Sequence, residues 1–139
     1  MAQSDIPVID LDYAFSIRID SSGRIEFAGP MRTRVFEQVS GGEVWGPRLQ
    51  GRVVPQSGAD FASNGLMDMH VMLQASDGTW LYMNLLGYEH EEDGPYFRVT
   101  PYFDAPQGPH DWLAQTVFLG TGERFQNPAH TLIHFHTVL

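Results

Sequence analysis

The chain carries neither cysteine nor lysine. Without cysteine there is no thiol nucleophile, disulfide, iron–sulfur cluster or thiolate zinc site. Without lysine there is no Schiff-base chemistry and no covalently held pyridoxal phosphate; all eight basic residues are arginine. The sequence also lacks a Walker-type phosphate loop and any G-x-G-x-x-G turn after a strand. No apolar run is long enough for a transmembrane helix, and Met1-Ala2-Gln3-Ser4-Asp5 does not begin a signal peptide. The net charge of −9 argues against nucleic acid and against anionic membrane surfaces as partners. A cytoplasmic location is expected, with no organic cofactor. Any chemistry falls to Asp, Glu, His, Tyr, Ser, Thr, Arg or a metal.

Also missing is any stretch with a sustained helical period. What replaces it is period-two alternation, most regular over residues 66–87. There Met67, Met69, Val71, Leu73, Leu81, Met83 and Leu85 are apolar, and the positions between them include Asp68, His70, Gln74, Trp80, Tyr82 and Asn84. Ser76-Asp77-Gly78 suits a three-residue hairpin loop with Gly in the left-handed slot. That loop pairs Ala75 with Thr79, Leu73 with Leu81, Val71 with Met83 and His70 with Asn84. A two-residue loop would mix the two faces.

Elsewhere the chain reads as short strands between turns. Residues 12–20 alternate, and Ser21-Ser22-Gly23 reads as a second hairpin loop that sets Ile19 against Ile25, Ile17 against Phe27 and Arg18 against Glu26. A strand over 31–39 follows, then a turn at Gly41-Gly42 and a bulged, bent strand over 43–55. Residues 56–65 read as loop, with Asp60 and Phe61 in a short strand. Residues 88–95 form an acidic loop. Residues 96–103 and 116–119 are strands, with one helical turn over 112–115 before the second. Gly120-Thr121-Gly122 reads as a turn, and residues 131–138 close the chain. Nine or ten short strands with no linker predict one all-β domain over residues 1–139, a single antiparallel barrel of the up-and-down, lipocalin-like kind. Closure also removes exposed strand edges.

From Gly41-Gly42 through Gly46-Pro47-x-Leu49-x-Gly51-x-Val53-x-Pro55 the chain resembles the small proteins grouped as domain of unknown function 3237. The resemblance continues at Gly58 and Asp60, at Asp77-Gly78 before Leu81-Tyr82, at Tyr96-Phe97-Arg98-x-x-Pro101-x-Phe103, and at Trp112-Leu113. It covers most of residues 12–138. It implies an antiparallel β-barrel and little chemistry, because the family is largely uncharacterised. Two departures are Val71, where the family tends to have an aromatic, and Ala75, where it has a nearby Thr. The resemblance does not extend to His70, His134 and His136.

Three constellations carry the candidate chemistry. Asp68 and His70 share a face with Tyr82 and Asn84; an Asp–His pair orients an imidazole for proton transfer, and Tyr and Asn donate to a developing oxyanion. That face either lines a cavity or faces water. Arg34, Arg48, Arg52 and Arg98 form a further set, Arg48 and Arg98 within the family motifs; one of them either clamps a substrate carboxylate or pairs with Asp60 or Glu43 to lock the bent strand. His134-x-His136 on one strand face, about 7 Å apart, is an alternative metal pair. The resulting expectation is a cofactor-independent lyase, isomerase, dehydratase or cyclase acting in a barrel cavity on a small apolar or aromatic molecule. Asp68, His70 and Tyr82 are its catalytic residues; Arg48, Trp80, Asn84, Arg98, Tyr102 and Trp112 bind substrate. The alternatives are a non-catalytic ligand-binding barrel and a metal enzyme using His134 and His136. If the polar face lines the lumen, the apolar face needs cover, and a homodimer is the expected cover.

Overall fold

The computed structural model describes residues 5–139. Nine strands follow one another: β1 (Leu11–Ala28), β2 (Thr33–Trp45), β3 (Gly51–Val53), β4 (Ala59–Ser63), β5 (Leu66–Ala75), β6 (Trp80–His90), β7 (Tyr96–Asp104), β8 (Phe118–Gln126) and β9 (Ala129–Val138). A 3-10 turn, Asp111–Gln115, lies between β7 and β8. Every pairing is antiparallel, and β1 pairs with both β2 and β9, so the sheet closes on itself. β3 and β4 fill two halves of one gap between β2 and β5. Nine strands therefore occupy eight places around an up-and-down barrel. Among the described residues no helix is long and apolar enough to cross a membrane.

Alternation decides what fills the barrel. Met67, Met69, Val71 and Leu73 of β5 and Leu81, Met83 and Leu85 of β6 are buried, alongside Phe15, Ile17, Phe103, Phe118, Ile133 and Phe135. Each such side chain contributes about 1.5–3 kcal/mol by leaving water. Phe15, Phe103, Phe118 and Phe135 meet at ring-centroid separations of 5.2–6.2 Å, mostly edge to face. Among the described residues the interior is thus a packed apolar core in place of the expected substrate cavity. The polar face of the 66–87 hairpin is on the outside. Its apolar face is used up within the barrel, so the argument that a second subunit must cover it falls away.

The central hairpin has the expected register: Leu73 faces Leu81, Val71 faces Met83 and His70 faces Asn84. The Ala75 amide donates to the Thr79 carbonyl, and Gly78 takes φ +93°. The expected first hairpin does not form. β1 runs straight through Ser21-Ser22-Gly23, with two register shifts there, and Ile19 faces Gly42 while Ile25 faces Phe36. Arg18 accordingly bonds Asp20 and Glu43 rather than Glu26.

Two other expected turns are also strand interior. Gly41-Gly42 lies within β2 and Gly120-Thr121-Gly122 within β8. Glycine serves close approach at these places. A Cβ on Gly42 would sit 1.9 Å from the Arg18 carbonyl oxygen, and one on Gly122 would sit 2.8 Å from the Phe97 ring.

Candidate functional site

At one end of the barrel the inward-facing rows change from apolar to ionic. Period two carries Val39 of β2 to Glu37, Leu85 of β6 through Gly87 to Glu89, and Ile133 of β9 to Thr131. On β8 the row Phe118, Gly120, Gly122 ends in Arg124, and on β4 the inward residue is Asp60. Past the β1 register shifts, Arg24 faces Glu37. Arg24, Glu37, Asp60, Glu89 and Arg124, with Thr131 beside them, thus form a charged ring over the apolar core.

Arg124 is its centre. Its guanidinium lies 5.1 Å from the Phe97 ring centroid, bonds the Glu89 carboxylate, donates to Thr131 Oγ1 at 3.3 Å and stands 3.5 Å from Asp60 Oδ2. Burial works against its charge, but Glu89, Asp60 and Glu37 outweigh that, and its pKa is raised. Arg24 bonds Glu37 at 2.7 Å and Glu26 at 3.3 Å.

Asp60 is only 2% exposed. Its Oδ1 accepts the Asp68 backbone N–H at 3.2 Å. Burial raises its pKa above the usual carboxylate value; the Arg124 charge and the Asp68 amide pull it down without cancelling that effect. A carboxyl so placed keeps its proton at higher pH than a solvated aspartate does.

The charged ring opens onto a cleft of about 300 Å³, with Asp60, Glu37, Glu89 and Arg124 on one side and Val35, Ala62, Leu66 and Met67 supplying apolar surface. A smaller adjoining cleft, about 110 Å³, shares Arg24, Glu37, Arg124 and Gln126 and reaches Phe125 and His130. Such a cleft presents a buried carboxyl of raised pKa, a fixed cation and two further carboxylates beside apolar surface.

The residues expected to be catalytic do come together, but on the outer surface of β5 and β6. His70 Nδ1 shares a hydrogen bond with the Tyr82 hydroxyl, His70 Nε2 lies 3.2 Å from Asp68 Oδ1, and Asn84 Nδ2 donates to Asp68 Oδ1 at 3.0 Å. Asp68 and His70 are half-exposed, and Tyr102 beside Asn84 donates to Asp104 at 2.9 Å. Trp80 is exposed at the hairpin tip.

The expected substrate-binding arginines are elsewhere. Arg48 stacks 4.0 Å over Trp112 at the opposite barrel end, beside the 3-10 turn. Arg98, on the outer face of β7, donates to the Phe97 carbonyl at 3.0 Å and lies 5.3 Å from the Tyr96 ring centroid. Neither meets Asp60 or Glu43, which pair with Arg124 and Arg18. His134 and His136 are on the outer face of β9; His134 Nδ1 shares a 2.6 Å hydrogen bond with Ser16 Oγ. Among the described residues no three His, Asp or Glu side chains are grouped to hold a metal ion.

Sequence reasoning missed the ring at Glu37, Glu89 and Arg124. Strand parity was the available signal: Glu89 shares it with Leu81, Met83 and Leu85, and Thr131 with Ile133 and Phe135. Placing Glu89 in an acidic loop broke the count; β6 continues to His90.

The profile of a family described as "Protein of unknown function (DUF3237)" matches residues 9–138. The chain belongs to this family. A UPF0311 protein of Rhodopseudomonas palustris is 28% identical over 155 aligned positions, covering 96% of this chain and 99% of the relative. The fold is that of a crystal structure of a conserved protein of unknown function from the same species, with TM-score 0.86 and 24% identity over 96% of this chain and all of that one. A beta-barrel like protein from Acinetobacter baumannii superposes equally well, at TM-score 0.86 and 23% identity over 99% of this chain and all of that one. A more distant structure, with TM-score 0.78 and 19% identity over 98% of this chain and 99% of that one, is described as an enzyme from Penicillium herquei. At these identities the solved structures establish the fold alone.

Proposed function

We propose that this protein is a cofactor-independent enzyme that moves protons on a small apolar or aromatic molecule held in the Arg124 cleft. The reaction class is isomerisation, elimination or ring closure. The observation that carries this reading is the buried Asp60 carboxyl, whose pKa burial raises and which faces Arg124 at the edge of a cleft. Asp60 donates its proton to the substrate. Arg124 stabilises negative charge as it develops on a substrate oxygen, where a preformed cation in a partly dry site is most effective. Glu37 and Glu89 are the carboxylates positioned to take a proton on the cleft side. Val35, Ala62, Leu66 and Met67 account for an apolar substrate.

The test needs no named substrate. Enolisable ketones and phenols are incubated with the protein in D2O, and NMR follows hydrogen-for-deuterium exchange at the carbon beside the carbonyl or ortho to the hydroxyl. At least one compound should exchange faster with the wild-type protein. Asp60→Asn should lower that rate about 10²-fold or more, the usual range for a general acid–base group. Unchanged exchange in the variant would reject Asp60 as the acid. A compound that saturates the cleft without exchanging would favour the second reading, a non-catalytic ligand-binding barrel. The same cleft supports that reading, which requires only that binding survive Asp60→Asn.

A further inference from the structure

The outer surface carries a second concavity, which the charged ring does not use. It lies where β4, β5 and β6 meet, is about 310 Å³ in volume, and is lined by Arg32, Arg34, Phe61, Ser63, Leu66 and Asp68 together with residues 86–88 of β6. It shares Leu66 and Met67 with the Arg124 cleft, but opens on the other side of the β4–β5 hairpin.

Register explains its composition. Arg34 faces Ser63 across β2 and β4, Phe36 faces Phe61, and Leu66 faces Tyr88 across β5 and β6. Outward parity puts Phe61, Leu66, Leu86 and Tyr88 at the surface, and all four are exposed. Apolar side chains gathered at one place on an acidic protein mark a binding surface.

Two polar features define what binds. The first is cationic. Among the described residues neither Arg32 nor Arg34 lies within ion-pair distance of a carboxylate, although the chain has 17 acidic residues against eight arginines. The Arg34 guanidinium only reaches the Phe61 carbonyl, at 3.5 Å. The second is Ser63. It is 4% exposed and lines the groove, yet its hydroxyl has no hydrogen-bond partner among the described residues. A buried hydroxyl without a partner is costly, and a ligand oxygen would satisfy it.

We propose that this groove is a second binding site, for a small aromatic carboxylate. Arg32 and Arg34 take the carboxylate, and Ser63 donates a hydrogen bond to it. Phe61, Leu66, Leu86 and Tyr88 cover the apolar body, and the volume matches the lower end of small-ligand sites. Asp68, held by Asn84 and His70, stands within the groove to accept a hydrogen bond from a ligand hydroxyl. An arginine pair recognises a planar carboxylate by charge and geometry together, so charge should dominate affinity.

The experiment is an NMR titration of the ¹⁵N-labelled full chain with 4-hydroxycinnamate and, separately, its uncharged methyl ester. Saturable shifts are expected on the amides of Phe61, Ser63, Leu66 and Tyr88, with the ester at least tenfold weaker. Arg34→Gln should weaken 4-hydroxycinnamate at least tenfold, while Arg52→Gln, away from the groove, leaves it unchanged. Ser63→Ala should weaken binding severalfold and also raise Tm, because it removes an unsatisfied buried hydroxyl. The proposal is overturned if groove amides do not shift at millimolar ligand, or if the ester binds as well as the acid. It is likewise overturned if only Asp60, Glu89 and Arg124 respond, if Ser63→Ala lowers Tm, or if groove amides shift with protein concentration alone, which would assign the face to a second copy of the chain.

Discussion

Replacing Arg124 by leucine tests the charged ring most directly. Leucine keeps an apolar contact over Phe97 and removes the cation. Asp60, Glu89 and Glu37 then share one end of the barrel without their common partner. Removing one member of a buried ion pair costs about 3–5 kcal/mol. Arg124 is 25% exposed and Glu89 35%, so water repays part of the loss and about 3 kcal/mol is expected at pH 7.

The pH dependence carries a definite sign. Asp60 already has a folded-state pKa above its ordinary 3.8, so its ionisation opposes folding, and stability falls as pH rises from 3.8 through the folded value. Among the influences that lower that pKa, the Arg124 charge is the largest. Losing it pushes the Asp60 pKa further up and widens the window. The cost of Arg124→Leu should therefore be greatest above the Asp60 folded pKa and shrink as pH falls toward 3.8. In an Asp60→Asn background the same substitution should cost about 1–2 kcal/mol less, within the usual range for coupled neighbours. Urea unfolding of the four proteins at pH 7 and near the ordinary Asp value of 3.8 measures all of this. A cost below about 1 kcal/mol at pH 7, or equal costs at both pH values and in both backgrounds, would refute the argument that the ring is held by Arg124.

Two predictions concern the scaffold. Gly42→Ala should cost more than about 3 kcal/mol or prevent folding, because its Cβ would lie 1.9 Å from the Arg18 carbonyl oxygen and neither backbone can yield without parting β1 from β2. Circular dichroism and urea unfolding check it, and a cost under about 1 kcal/mol would mean the two strands are not so closely apposed. The Asp77 pKa is lowered to about 2, chiefly by the Thr79 backbone N–H and side chain, with His110 2.8 Å away adding to the effect. Its contribution is therefore present above 3.8 and lost as pH falls toward about 2. An NMR titration of the Thr79 amide should show a midpoint near 2; a midpoint at the ordinary 3.8 would contradict the turn geometry.

The segments of the chain differ in how much local information they hold. Residues 66–87 were legible because two alternating strands and one loop must agree on register, and only the three-residue loop lets them. Ser21-Ser22-Gly23 looked equally turn-like, yet β1 continues through it as an irregular strand paired with β2. The competing partner is more than a dozen residues away, so no local pattern favours it. Glycine looks like turn punctuation at Gly41-Gly42 and Gly120-Thr121-Gly122. It serves there to admit a neighbouring backbone or the Phe97 ring, which is a contact with residues distant in sequence. Asp68, His70, Tyr82 and Asn84 were correctly gathered on one face, because parity and register suffice for that.

Composition and period two were sufficient for the chain to declare itself an all-β barrel without thiol or Schiff-base chemistry, and for its central hairpin to be paired residue by residue. These are local or summed properties, and they need no knowledge of which strands meet around the barrel. Which face turns inward is different. Both faces of the 66–87 hairpin carry large side chains, and only closure of the sheet selects Met67, Val71, Leu81 and Met83 for the core, because the bore has room for one face and burying Asp68 and His70 unpaired would cost more than burying methionine and leucine. The meeting of Glu37, Asp60, Glu89 and Arg124 is also a product of closure. They stand on four strands, and only the wrapped sheet brings the ends of those strands around one opening.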